Sequence, residues 1–168
     1  MFDDTKPQDR TDDTDRFSRP DRGMRPVLIW ILAAVVLGGL AFIRLVPSDP
    51  ARWHVDPMTV ADPAKPHFAR LGQGAVTGAD AASLAAAVDA AMLAMPGTRL
   101  LAGSVAQGHM TYITRSRLMG YPDYTSIRVL PGSSGATLAA FARSRFGTSD
   151  LGVNAARLDR LKTALTTP

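Results

Sequence analysis

The chain of 168 residues contains no cysteine and no glutamate; its fifteen acidic residues are all aspartate. Without cysteine there is no disulfide, no thiolate metal site and no cysteine nucleophile. Without glutamate the side chain most used for capping boxes and helix-face ion pairs is missing. Aromatic residues make up only 7% of the sequence, and no aromatic-rich strand of the RNA-recognition type is present, so nucleic acid is not an expected partner. Also missing are a nucleophile elbow, an HExxH pair, a phosphate loop and a dinucleotide fingerprint. No catalytic residue and no cofactor is therefore assigned.

Long apolar runs are rare too, with one exception. Val27 to Val46 reads VLIWILAAVVLGGLAFIRLV, and its one charge is Arg44 near the end. At about 1.5 Å per residue this run reaches roughly 30 Å, the thickness of a bilayer's hydrocarbon core. Trp30 and Trp53 fall where the two headgroup zones would lie, and Arg44 is close enough to the edge to snorkel outward. A cleaved signal peptide is the competing reading, with Gly39-Leu40-Ala41 supplying small residues before the cut. Against it stand a long charged region before Val27, an apolar run longer than a usual signal core, and further apolar residues after the candidate cut.

Arg10, Arg16, Arg19, Arg22 and Arg25 precede the run closely, whereas only Arg44, Arg52 and Lys65 follow within similar reach. The positive-inside bias thus predicts a single-pass protein with a cytoplasmic N-terminus and a C-terminal domain on the far side of the membrane. The expected organisation is a disordered tail over 1–26, a transmembrane helix over 27–46, a proline-rich connector over 47–66 and a folded domain over 67–168. The tail is charged and nearly free of apolar residues, too polar to bury a core. In the connector Pro47, Pro50, Pro57, Pro63 and Pro66 resist both helix and central strand.

Beyond it the pattern predicts a strand over His67 to Val76, then a helix from about Ala81 to Met95 capped by Asp80. Leu84, Val88, Ala91, Met92 and Met95 form its packing face and Asp89 lies outside. Four strand-like runs follow, at about Arg99 to Val105, Met110 to Ser116, Tyr124 to Leu130 and Thr137 to Arg145, separated by Gly and Pro clusters. Gly132-Ser133-Ser134-Gly135 reads as a hairpin connection. Links this short favour an antiparallel meander. A last helix, about Asn154 to Thr166, sets Leu158, Leu161 and Leu165 on one face and Arg157, Arg160 and Lys162 around the others. The expected fold is α+β: a two-layer domain with an antiparallel sheet and two packed helices, preceded by one transmembrane helix.

The candidate site rests on two similar tripeptides at strand ends, Arg115-Ser116-Arg117 and Arg143-Ser144-Arg145. Residues two apart share a face of an extended chain, so each tripeptide presents two guanidinium groups together if its strand continues. Asp123 and Asp150 follow within short loops, and Asn154 opens the last helix; Arg128 adds a charge from the strand between. Planar guanidinium groups suit a carboxylate or phosphate ligand, and structural ion pairs between Arg and Asp are the alternative. His54 and His67, with Asp56 and Asp62, have no diagnostic metal-ligand spacing, and no metal is expected.

The stretches Arg115-Ser116-Arg117-Leu118-Met119-Gly120-Tyr121-Pro122-Asp123 and Ser144-Arg145-Phe146-Gly147-Thr148-Ser149-Asp150-Leu151-Gly152-Val153-Asn154, followed by Arg157, resemble the bacterial family named domain of unknown function 1499 (DUF1499). His54-Val55-Asp56-Pro57 and Pro66-His67-Phe68 echo it, so the resemblance spans about 54–168. It implies a domain assignment and no activity, and with the charge bias it places the expected anchor in a bacterial inner membrane and the C-terminal domain in the periplasm. Three functions compete. The first is non-enzymatic binding of an anionic small molecule, lipid headgroup or envelope protein beside the bilayer. The second is an enzyme using Asp123 or Asp150 as general base with the paired arginines. The third is a structural or assembly role, with the anchor self-associating through Ala34 and Gly38.

Overall fold

The computed structural model describes residues 24–167, so most of the expected tail lies outside the described residues. The chain divides after Gly39 into two compact units. Helix α1 (Met24–Leu45) begins in the first and ends in the second. Its stretch Arg25–Leu45 is long and apolar enough to cross a membrane, as a membrane anchor or a signal sequence would be.

The second unit is α+β, with the elements α2 (Pro50–Trp53), β1 (Phe68–Leu71), β2 (Thr77–Gly78), α3 (Ala81–Leu93), β3 (Thr98–Ser104), β4 (His109–Arg115), β5 (Pro122–Gly132), β6 (Gly135–Ser144) and α4 (Val153–Thr166). All strand pairs are antiparallel, in the order β1-β6-β5-β4-β3, with β2 also on β6. The last four strands form the meander their short links require. Gly132 pairs with Gly135 across the Ser133-Ser134 turn. The strand expected over His67 to Val76 is shorter than expected: it stops at Leu71, where Gly72, Gln73 and Gly74 break it, and β2 forms only beyond it, at Thr77–Gly78.

The register assigns each side chain to one of two sheet faces. On one face Met110, Tyr112, Ile127, Leu138, Ala140 and Ala142 form the core with Leu84, Val88 and Met92 of α3 and with Leu158 and Leu161 of α4. Asp80 caps α3, accepting from the Ser83 backbone N–H at 2.8 Å. Two polar residues expected on outer helix faces are placed differently. Asp89 is half-buried and accepts a hydrogen bond from the Tyr112 hydroxyl at 2.7 Å; burial first, and then that bond and the Asp89 charge, push the phenol pKa up. Arg157 is only 6% exposed, because it lies three residues from buried Asn154 and four from Leu161 and so shares their face.

The other face is covered by the proline-rich segment over 47–66. Asp49 caps α2, accepting from the Ala51 N–H at 2.9 Å, and Pro50 occupies the first turn where no backbone donor is needed. Trp53, read from sequence as a headgroup-zone residue, is buried at 5% exposure and stacks on Tyr124 with ring centroids 3.8 Å apart. A segment without sheet pairing leaves its carbonyls needing donors. The sheet supplies them: Arg70 donates to Pro57 O at 2.7 Å and Val60 O at 2.6 Å, and Ser126 Oγ to Trp53 O at 3.3 Å.

Candidate functional site

The end of the sheet where β4 stops and β5 starts brings the two tripeptides near each other, on different terms from those expected. Strand β4 ends at Arg115 because a tight turn follows: Gly120 N–H bonds Ser116 O, and Ser116 N–H bonds Tyr121 O, both at 3.0 Å. Arg117 is thus on an exposed turn, off the strand face. Gly120 sits at φ +75, where glycine carries no steric penalty. The second tripeptide behaves as an extended chain, since Arg145 N–H still bonds Pro122 O at 3.3 Å after β6 ends. Arg143 and Arg145 therefore share the outer face, together with Arg115 by register.

The carboxylates and Asn154 lie elsewhere. Asp123 is opposite Ser144 on the helix face, where Arg157 Nη2 meets its Oδ2 at 2.8 Å and Ser144 Oγ donates to its Oδ1 at 2.6 Å. Asn154 donates to Ser144 Oγ at 3.0 Å and accepts from Arg157 at 2.7 Å. Every charged member of this buried group is answered. Asp150 lies two residues before Gly152, the N-cap of α4, and its carboxylate accepts from the N–H groups of Asn154 at 2.9 Å and Gly152 at 3.2 Å. Burial alone would raise its pKa, but those hydrogen bonds outweigh it and hold the carboxyl below its usual range. Arg128 turns to Asp56, 3.4 Å away, at a different part of the sheet.

What gathers on the outer face is a cradle of arginine around one indole. The guanidinium carbons of Arg143, Arg52 and Arg145 lie 4.7, 5.2 and 5.9 Å from the Trp53 ring centroid. Arg143 donates to Arg52 O at 3.0 Å, and Arg145 to Pro47 O at 2.7 Å. These bonds fasten the 47–66 segment, yet a carbonyl uses a donor without neutralising the cation. Among the described residues none of the three arginines is in a salt bridge. Burial pulls the Arg143 pKa below the usual arginine range, and the Arg52 charge adds to the effect. Sequence reasoning missed Arg52 and Trp53 here, and Arg157 on the opposite face. The signal for Trp53 was a large aromatic in an otherwise polar, proline-rich arm, which needs a partner to bury it.

His54 and His109 stack on the same outer face with centroids 3.9 Å apart. His54 Nδ1 is 2.8 Å from Thr111 Oγ1, and His109 Nε2 is 3.1 Å from Val55 O. Burial lowers the His54 pKa, and His109 and Arg128 lower it further. Among the described residues no three His or Asp side chains converge as a metal site.

The family model described as "Protein of unknown function (DUF1499)" matches residues 47–165. The chain belongs to the DUF1499 family. The match begins at Pro47, so it takes in the segment that carries Arg52 and Trp53 along with the sheet and α4. A comparison with the curated proteins finds no match.

Proposed function

We propose that this DUF1499 protein is a membrane-anchored, non-enzymatic binder of an anionic group, held by Arg52, Arg143 and Arg145 against Trp53. The observation that carries this reading is the gathering of three guanidinium groups over one buried indole. A carboxylate or phosphate offers each guanidinium the bidentate partner that a backbone carbonyl does not. It would also reverse the unfavourable burial of the Arg143 charge. Asp123 and Asp150 have their oxygens engaged with Arg157, Ser144 and backbone N–H groups, which speaks against a general-base role. The anchor reading rests on α1, and the arginine bias before it supports a cytoplasmic N-terminus and a periplasmic domain.

The test uses the full chain in nanodiscs with Trp30→Phe, so that Trp53 alone reports. Inorganic phosphate or citrate, or phosphatidylglycerol in place of phosphatidylcholine, should change its fluorescence; the first pair marks a free ligand and the lipid exchange a headgroup. Arg52→Ala leaves every described side-chain hydrogen bond intact and should weaken the response about tenfold, the value of one charge-assisted contact. No fluorescence change with any of these anions would sink the proposal.

A further inference from the structure

The two ends of the sheet differ in what they expose. At the end where β4, β6 and α3 finish, the helix ends and connecting segments carry Leu93, Leu118, Met119, Tyr121, Leu151 and Val153, all large apolar residues facing solvent. Leu118 is 83% exposed and Leu151 93%. At the opposite end the turns Val105 to Gly108 and Gly132 to Gly135 expose no large apolar side chain. Single exposed residues such as Met58 and Leu100 need no explanation, but a group of six at one end does.

Leu151 adds an independent observation. Its φ of +52 is the one left-handed value at a non-glycine residue among those described. Glycine or asparagine fills such a position at lower steric cost. A leucine in that conformation, almost wholly exposed, points to a contact outside the chain.

The last turn of α1 identifies that contact. Within the second unit, Arg44 donates to Leu118 O at 2.8 Å and Arg115 to Ile43 O at 3.2 Å. Phe146 lies between Phe42 and Tyr121, with centroids 6.4 and 6.0 Å away. The turn bearing Leu118 is thus fixed beside the end of the apolar helix, where Leu45 is itself 78% exposed. Arg99, Arg117 and Arg160 are exposed near the same end; of the carboxylates there, Asp123 is committed to Arg157, Asp150 to backbone N–H groups at the start of α4 and Asp49 to the α2 cap, and Asp159 is exposed beside Arg160. Apolar tips flanked by arginine match the boundary of an anionic bilayer.

We propose that this end of the domain docks on the membrane, with Leu118 and Leu151 inserted among the lipid chains and Arg117 at the headgroups. The inference rests on the reading of α1 as an anchor. It presses the domain against the surface, where the arginine cradle meets headgroup-depth ligands.

The native chain has no cysteine, so single probes are specific. We would place an environment-sensitive fluorophore on Leu118→Cys, Leu151→Cys, Gln107→Cys, Ser134→Cys and Val35→Cys in the full chain, reconstituted in phosphatidylglycerol vesicles containing lipid-borne nitroxide quenchers. All the loop positions are exposed, and a retained circular dichroism spectrum checks each fold. Quenching at Leu118 and Leu151 by the shallow quencher should exceed that at Gln107 and Ser134 severalfold, with Val35 quenched by the deep one. Equal quenching at all four loop positions, with Val35 still quenched, overturns loop insertion and leaves the anchor standing. An unquenched Val35 overturns the anchor and the docking with it.

Discussion

Arginine is used in opposite ways on the two faces of the sheet. On the helix face Arg157 is buried with a carboxylate at 2.8 Å, an amide and a hydroxyl, so its charge is neutralised and each partner has a second bond. On the outer face Arg143 is half-buried, donates to a neutral carbonyl and lies beside two further arginines around Trp53. A closed ion pair has nothing left to offer a ligand, whereas a desolvated cation fastened only by carbonyls keeps its charge available. The lesson is that residue type says little until the face is known. Of the four arginines that look alike as strand-end tripeptides, Arg117 is on an exposed turn, Arg115 donates to the carbonyls of Ile43 and Gly120, and Arg143 and Arg145 join the cradle, while the arginine that pairs with Asp123 comes from a helix.

The largest expected effect breaks the closed side. Arg157→Ala strands the Asp123 carboxylate in the interior and should cost about 3–5 kcal/mol, a fall in Tm of roughly 10 °C or more. Arg52→Ala, on the open side, should leave Tm nearly unchanged while weakening anion binding. Thermal unfolding of the two variants in nanodiscs decides the matter, and equal losses of stability would erase the distinction between the faces. A smaller effect is expected at Ser144, whose hydroxyl both donates to Asp123 and accepts from Asn154. Ser144→Ala leaves a buried carboxylate oxygen one donor short and should cost about 1–3 kcal/mol. A midpoint equal to that of the parent would mean that water or a neighbour takes over the bond.

The helix face was legible in the sequence because its apolar residues recur at helical and strand periods, as Leu84, Val88 and Met92 do in α3 and Met110 and Tyr112 in β4. The antiparallel sheet followed from link lengths alone. Arg157 was misplaced because a pattern reading assigns faces by apolarity, and a charged residue on a packed face looks like a solvated one until its partner is found. Trp53 was misplaced for a related reason. Its position just after the apolar helix fits a headgroup-zone residue, and the stacking on Tyr124 joins positions 71 residues apart that no local period connects. The cradle therefore rested on contacts between a segment without secondary-structure period and a strand. Of its members, the tripeptides revealed Arg143 and Arg145 through their alternation, and nothing local revealed Arg52.

The smallest expected effect distinguishes the faces by pH. His54 stacks on His109, with Arg128 close by and Asp56 paired to that arginine, and a hydrogen-bonded path runs from it through Thr111 and Ser126 to the Trp53 carbonyl. Burial, then His109 and Arg128, lowers its folded pKa below the ordinary histidine value of about 6.5. Between the folded and unfolded values the unfolded chain binds more protons, so stability rises with pH. The contribution is complete above the unfolded pKa and is lost as pH falls through the folded one. Asp150 works in a separate window: its folded pKa is depressed, so its contribution persists above the usual carboxylate range and disappears only in stronger acid. We therefore expect Tm to fall modestly from pH 7.5 to pH 5 and His54→Gln, which keeps a hydrogen-bonding side chain toward Thr111, to flatten that slope. Trp53 fluorescence in the Trp30→Phe background should shift over the same interval, because the path ends on its carbonyl. An unchanged slope in His54→Gln would show that protonation of His54 is not what loosens the outer face.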